Sequence, residues 1–132
     1  GQVVFGGFGS TAQHSYFQLL HQGTALACAD IFTVEDNKKN NKLLFAQSQA
    51  QSYLLANGAD AELQEFEKVN GNIPTNLFTL ESLNSFNFGY LIATWEHRTF
   101  LTSQMLQINP FDQFGVSAGK IYTKKYLKDN GA

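Results

Sequence analysis

Only one cysteine and two prolines occur in this 132-residue chain, and charged residues make up just 15% of it. A single cysteine excludes an internal disulfide and a cysteine-cluster metal site, which suits a reducing cytoplasm, the compartment expected here. The net charge of −2 is not that of a nucleic-acid binder, which usually carries a basic face. The longest apolar run, Phe88 to Trp95, is too short to span a bilayer. No signal peptide is expected in the opening residues, and neither nucleic acid nor membrane is expected as a partner. There is also no initiator methionine. The sequence starts GQVVFGG, almost at once in a strand-like run, and reads as a piece of something longer.

What is there is apolar and aromatic. Hydrophobic residues reach 43%, with twelve Phe and five Tyr, so disorder is not expected. A chain of this size buries about two-thirds of its unfolded surface, and the simplest organisation is one domain, residues 1–132. Cys28 lies beside Leu26 and Ala27 and reads as a buried small hydrophobe. Lys38, Lys39 and Lys42, and Lys124, Lys125 and Lys128, sit among polar residues and read as solvated helix faces.

Along the chain, strand-like and helix-like segments alternate. Val3-Val4-Phe5 reads as a short buried strand entering the glycine-rich turn Gly6-Gly7-Phe8-Gly9. Ser10 or Thr11 can cap a helix from about Ala12 to Gln22, stopped by Gly23. Thr24 to Val34 resembles a second buried strand. A helix from about Asn37 to Asn57 places Leu43, Ala46, Ala50 and Leu54 on one apolar face and ends at Gly58. A short acidic helix, about Asp60 to Lys68, precedes a turn at Asn70-Gly71-Asn72 and Pro74, then a strand at Asn76 to Leu80. Ser85 to Gln107 predicts a long helix, apolar almost all round and so packed on several sides. Val116 to Lys128 predicts the last helix. The alternation implies an α/β layered domain with a mainly parallel sheet. Ligands of such sheets bind where strand ends feed helix N-termini, here Gly6 to Thr11 and Asn109 to Gly115.

Candidate chemistry lies at those two loops. GGFGSTAQH can offer backbone N–H groups to an anion, but it matches neither a P-loop nor a dinucleotide fingerprint, and a plain tight turn explains it as well. His14 falls in the first turn of the following helix, where an imidazole can give and take protons. His21 lies seven residues on, near the helix C-terminus, a spacing that does not suit metal ligation. His97, in Trp95-Glu96-His97-Arg98, can be a buried hydrogen-bonded histidine. Lys120 follows INPFDQFGVSAG, about one and a half turns into a helix starting near Gly115. The small Ser117, Ala118 and Gly119 let other groups approach it. Asp112 reads as a helix cap or dipole partner, while Gln113 can both donate to and accept from a hydroxylated ligand. Spacing alone does not separate these roles from ordinary structural ones.

The same segments carry a family resemblance. GSTAQHSYFQLLHQGT, residues 9–24, resembles the GTNGQHxFYQLxHQGT stretch of the phosphoglucose isomerases, also called glucose-6-phosphate isomerases. Residues 108–120 resemble that family's I-N-x-[FY]-D-Q-x-G-V-E-x-G-K signature. Gly71-Asn72-Ile73-Pro74-Thr75 is similar to GNRPT, FGYLIATWEHRTF to LGALIALYEHKxF, and LLFAQSQAQSY to LLANxxAQxxAL. These matches run in order over nearly the whole chain.

The resemblance implies a three-layer αβα sandwich of the sugar-isomerase, flavodoxin-like type. It also implies interconversion of glucose 6-phosphate and fructose 6-phosphate without a cofactor or metal. In the family the sugar ring is opened by proton transfers, and a base then moves a proton between C2 and C1 through an enediol. On this resemblance His14 takes the ring-opening histidine position, which reaches the other subunit's site in a homodimer. Lys120 takes the lysine position near the ring oxygen, and Gln113 a substrate-contacting one. The family's proton-shuttling glutamate, in a MESNGK stretch, has no counterpart in these residues, nor have its phosphate cradle and active-site arginine. The chain is therefore expected to be the family's C-terminal domain, inactive alone. The alternative is a non-catalytic sugar-phosphate-binding or regulatory domain of the same fold. Departures are Thr11-Ala12 for Asn-Gly, Ile73 for arginine, Ser117 for glutamate and Asn40-Asn41 for a histidine pair, with a shortened stretch from Asp30 to Leu43.

Overall fold

The computed structural model describes residues 3–59 and 64–131, in two compact units, Gly1–Asn87 and Phe88–Ala132. The first unit is α/β. It holds helices α1 (Gly9–Gln13) and α2 (Phe17–Gln22), strand β1 (Ala29–Val34), helices α3 (Asn37–Asn40) and α4 (Lys42–Asn57), a single 3-10 turn at Glu65–Glu67, and strand β2 (Thr75–Leu80). β1 and β2 pair in parallel, from Ala29 opposite Thr75 to Val34 opposite Leu80. Parallel neighbours need a long crossover, and the stretch containing α3 and α4 supplies it.

The β-branched and aromatic content of ADIFTV and TNLFTL suits a pleated, half-buried surface. Alternation puts Ala29, Ile31 and Thr33 on one face with Thr75, Leu77 and Thr79. That face meets α4: Thr33 is buried, and Ser48 Oγ donates to its Oγ1 across 2.9 Å. On the other face Phe32 and Phe78 stack with centroids 5.2 Å apart, and Asn76 Nδ2 donates to Asp30 Oδ1 at 2.8 Å. The buried apolar side chains among the described residues are Ala12 on α1 and Leu55 on α4, two helices that pack together.

Local chemistry sets the ends of α4. Asn41 accepts from the Leu44 N–H at 3.1 Å, an N-cap that divides the expected single helix into α3 and α4. At the other end Gly58 has φ +79° and ψ −175°, an extended positive-φ conformation open to glycine, and its N–H donates to the Leu54 carbonyl at 2.9 Å. The N–H groups of Asn72 and Ile73 donate to the terminal carbonyls of Ala56 and Leu55 at 2.9 and 3.0 Å. Gly71 (φ +67°) crosses Gly58 so closely that a Cβ on it would lie 2.3 Å from the Gly58 nitrogen. The GN pair of the GNIP motif is thus a backbone clamp that closes α4 and feeds β2.

Several expectations are corrected here. Residues 3–5 form no strand, and Val3, Val4 and Phe5 are exposed. Residues 24–28 are likewise outside β1; Leu26 is fully exposed, and so is Cys28 rather than buried. The physical reason is pairing. Within residues 70–73, which would have to face that segment, Asn72 and Ile73 spend their N–H groups on α4 instead. The helix expected over 12–22 breaks at residues 14–16, where Ser15 Oγ donates back to the Thr11 carbonyl at 3.0 Å and competes with the helix ladder. It begins at Gly9 after Phe8, not at a Ser10 or Thr11 cap.

The face of α4 that docks also differs from the apolar one. Of the expected face, Leu43, Ala46 and Ala50 are exposed and Leu54 half-buried, whereas Leu44, Ser48, Gln51 and Ser52 are half-buried and Leu55 is buried. The polar side chains inside are matched by polar partners, which a count of apolar residues cannot foresee. Residues 60–63 of the acidic helix expected at 60–68 lie outside the described residues, and its described part, residues 64–68, holds only the turn at Glu65–Glu67.

In the second unit, α5 (Ser85–Met105) starts with its first turn in the first unit, and α6 (Phe114–Asp129) follows. Asn84 Oδ1 accepts from the Asn87 N–H at 2.9 Å, an N-cap for α5. Its end is a Schellman turn built on Gln107 at φ +54°, with Ile108 N–H donating to the Ser103 carbonyl at 3.0 Å. The expectation that α5 is packed on several sides is not met: Phe86, Tyr90, Leu101 and Met105 are exposed. His97, expected buried, is exposed too. No helix of the described residues is long and apolar enough to cross a membrane.

Candidate functional site

His14 is not in the first turn of its helix. It is the C-cap of α1, with φ −87° and ψ −6°, and its ring is exposed at the break between α1 and α2. Its amide donates to the Thr11 carbonyl at 3.2 Å. Ala12, two residues earlier, is buried against α4 and anchors this corner. Gly7 lies under the same corner, where an added Cβ would come 3.5 Å from the Tyr16 hydroxyl.

Gln113 and Lys120 come together on α6. Gln113 is its N-cap, with no side-chain cap bond, so its amide is left for other partners. Its carbonyl accepts from the Ser117 N–H at 3.0 Å. Lys120 lies seven residues on, two turns of helix at about 10 Å of rise, and so on nearly the same face. Both side chains are exposed. Gly115 and Gly119 on this helix face open space, consistent with the room that the small residues before Lys120 imply. Lys124 and Lys128 continue the face at four-residue steps, making it cationic along its length.

The loop leading into α6 is shaped by Asn109. Its Oδ1 accepts from the Phe111 N–H at 3.1 Å, and its Nδ2 donates to Asp112 Oδ1 at 3.0 Å. Asp112 therefore braces the turn instead of capping α6, as the sequence had suggested for it. No cluster of three or more His, Cys, Asp or Glu that could hold a metal ion occurs among the described residues.

The second half of the first motif does structural work. His21, in the last turn of α2, is half-buried and pairs through Nε2 with Gln51 Oε1 of α4 at 2.9 Å. Gln22 Nε2 donates to the carbonyls of Phe66 and Lys68 at 3.0 and 2.8 Å. Neither Gln51 nor Gln22 stands out in the sequence. Their bonds join residues 30 to 46 positions apart, and no local spacing signals them.

His14 belongs to the first unit, and Gln113 and Lys120 to the second. What unites them is their place in a larger pattern. Residues 1–131 match the family described as phosphoglucose isomerase. A glucose-6-phosphate isomerase of Acinetobacter baumannii is 41% identical to the chain, over 95% of it and 26% of the relative. A glucose-6-phosphate isomerase 2 of Neisseria meningitidis is 39% identical, over 96% of this chain and 27% of its own length. The crystal structure of a glucose-6-phosphate isomerase from Chlamydia trachomatis superposes with a TM-score of 0.80 at 30% identity, over 93% of this chain and 26% of that one. The chain thus spans about a quarter of the length of these relatives. With sequence motifs, α/β architecture and both kinds of similarity in agreement, it belongs to the phosphoglucose isomerase family.

Proposed function

We propose that this chain supplies the C-terminal part of an enzyme that interconverts glucose 6-phosphate and fructose 6-phosphate in glycolysis and gluconeogenesis. The observation that carries the reading is the survival of His14, Gln113 and Lys120 at their motif positions, all with exposed side chains, in a chain matched to the family from end to end. On this reading the imidazole of His14 shuttles the proton that leaves the anomeric hydroxyl and arrives at the ring oxygen, which opens the ring. The Lys120 ammonium stabilises the developing charge on that oxygen. Gln113 holds a sugar hydroxyl through its amide. The working form is a homodimer in the cytoplasm, with His14 completing the site of the partner subunit.

Isomerisation proper needs a base to carry a proton between C2 and C1. The carboxylate that the family uses has no counterpart among these residues, so the chain alone is inactive.

The test is a chimaera in which this chain replaces the corresponding segment of the Acinetobacter baumannii relative, assayed with fructose 6-phosphate. The chimaera is expected to be active, and His14→Ala to lower kcat about a hundredfold or more. Full activity of the His14→Ala chimaera would overturn the reading. Turnover by the 132-residue chain alone would overturn its predicted inactivity.

A further inference from the structure

His14 sits in a three-residue break between two short helices, so the direction of its ring depends on how α1 and α2 are held. Ala12 holds α1. α2 is held from its far end. There, Gln22 bonds residues 66 and 68, and His21 bonds Gln51.

A line of rings connects that anchorage back to the break. Phe5 meets Tyr16 edge-on at 5.0 Å, Tyr16 stacks on Phe17 at 5.7 Å, and Phe17 meets the His21 ring at 5.9 Å. His21 is where this line ends and a hydrogen bond to α4 begins. An aliphatic side chain could fill the same space but could not donate.

The cost of the arrangement is visible. Nδ1 of His21 is buried with no hydrogen-bond partner. A buried polar atom left unpaired is unfavourable and calls for a reason. A directional bond from the ring's other nitrogen provides one.

We infer that His21, acting through Gln51, is a positioning residue for His14: it locks α2 so that the break presents the His14 imidazole outward in one direction. This rests on the role proposed above for His14. It assigns to His21 no contact with the sugar.

The chimaera is the assay. His21→Ala and Gln51→Leu are each expected to lower kcat about tenfold while leaving the KM for fructose 6-phosphate unchanged. His21→Gln, whose side-chain N–H can reach Gln51, is expected to restore most of the loss. Relaxation measurements on the ¹⁵N-labelled 132-residue chain give an independent readout. His21→Ala should lower the order parameter of the His14 amide from about 0.85 to below about 0.6, with the Lys120 amide unaffected.

An unchanged kcat in both variants, or a His14 amide as rigid as before, would overturn the inference. So would failure of His21→Gln to restore activity, or equal loosening at Lys120. If His14→Ala is inactive while His21→Ala is not, this inference fails and the proposed role of His14 stands. If His14→Ala is active, the reading beneath it fails first. Should the chimaera show no activity at all, the relaxation result alone decides.

Discussion

The two units are built by different means. In Gly1–Asn87 the decisive contacts join distant residues: Ser48 to Thr33, His21 to Gln51, Gln22 to the 66–68 segment, and the Gly71 backbone to the end of α4. Its helices are short apart from α4, and its buried apolar side chains are Ala12 and Leu55. In Phe88–Ala132 two long helices carry hydrogen bonds of one-turn reach, such as Thr94 Oγ1 to the Tyr90 carbonyl, Thr99 Oγ1 to Trp95 and Thr123 Oγ1 to Gly119. Most of their large apolar side chains, Ile121 and Tyr126 among them, are exposed. The first unit exists through pairing at a distance, and the second through local helix formation. Proteins open in cooperative units whose stability follows buried contact and shielded hydrogen bonds, so the two should respond differently to substitution.

The sharpest break in the comparison is Leu55→Ala. Leu55 is completely buried, and truncating such a leucine costs about 2–5 kcal/mol. Amide exchange in β1 and β2 should accelerate accordingly, while α6 exchanges as before. Unchanged exchange in the strands would show that Leu55 is not the centre of this unit.

Gly71→Ala tests the backbone clamp. A left-handed φ and a Cβ approach of 2.3 Å cannot both be relieved, and strain of this kind costs about 1–3 kcal/mol. Protection of the Asn72 and Ile73 amides, which cap α4, is the measurement that reads it. If Gly71→Ala leaves them protected, the clamp is not under strain.

The smallest effect is expected in the other unit. Ile121 is apolar and long but two-thirds exposed, and substitutions at such positions stay within about 0.5 kcal/mol. Denaturation followed by circular dichroism should scarcely distinguish Ile121→Ala from the parent. A loss comparable to that of Leu55→Ala would mean that α6 is buried in solution.

How much was legible in advance follows the same divide. The extents of α5 and α6 were close to expectation because caps, turn-formers and helix-favouring residues act within a few positions. Asn84, Gln107 and the Asn109-Pro110 turn all lie beside the ends they define. β2 was recognised from its own composition, and Gly58 as a stop from its place after the periodic run. The residues of the candidate site were recognisable through the ordered motifs alone. Misreadings cluster in the first unit. Val3 to Phe5 and Thr24 to Cys28 have the composition of strands, but a strand exists only where another lies alongside. The docking face of α4 was misjudged because Ser48 and Gln51 are polar on paper and satisfied in place.

The order of the motifs along the chain was enough to determine the family and to single out His14, Gln113 and Lys120 as candidates, since identity and spacing are properties of the polymer itself. Tertiary structure decided the rest. It turned Cys28 outward and Leu55 inward, set His14 at a helix break instead of in the first turn of a helix, and gave His21 a partner thirty residues away. Burial and hydrogen-bond satisfaction are settled between segments, and no single segment carries that information.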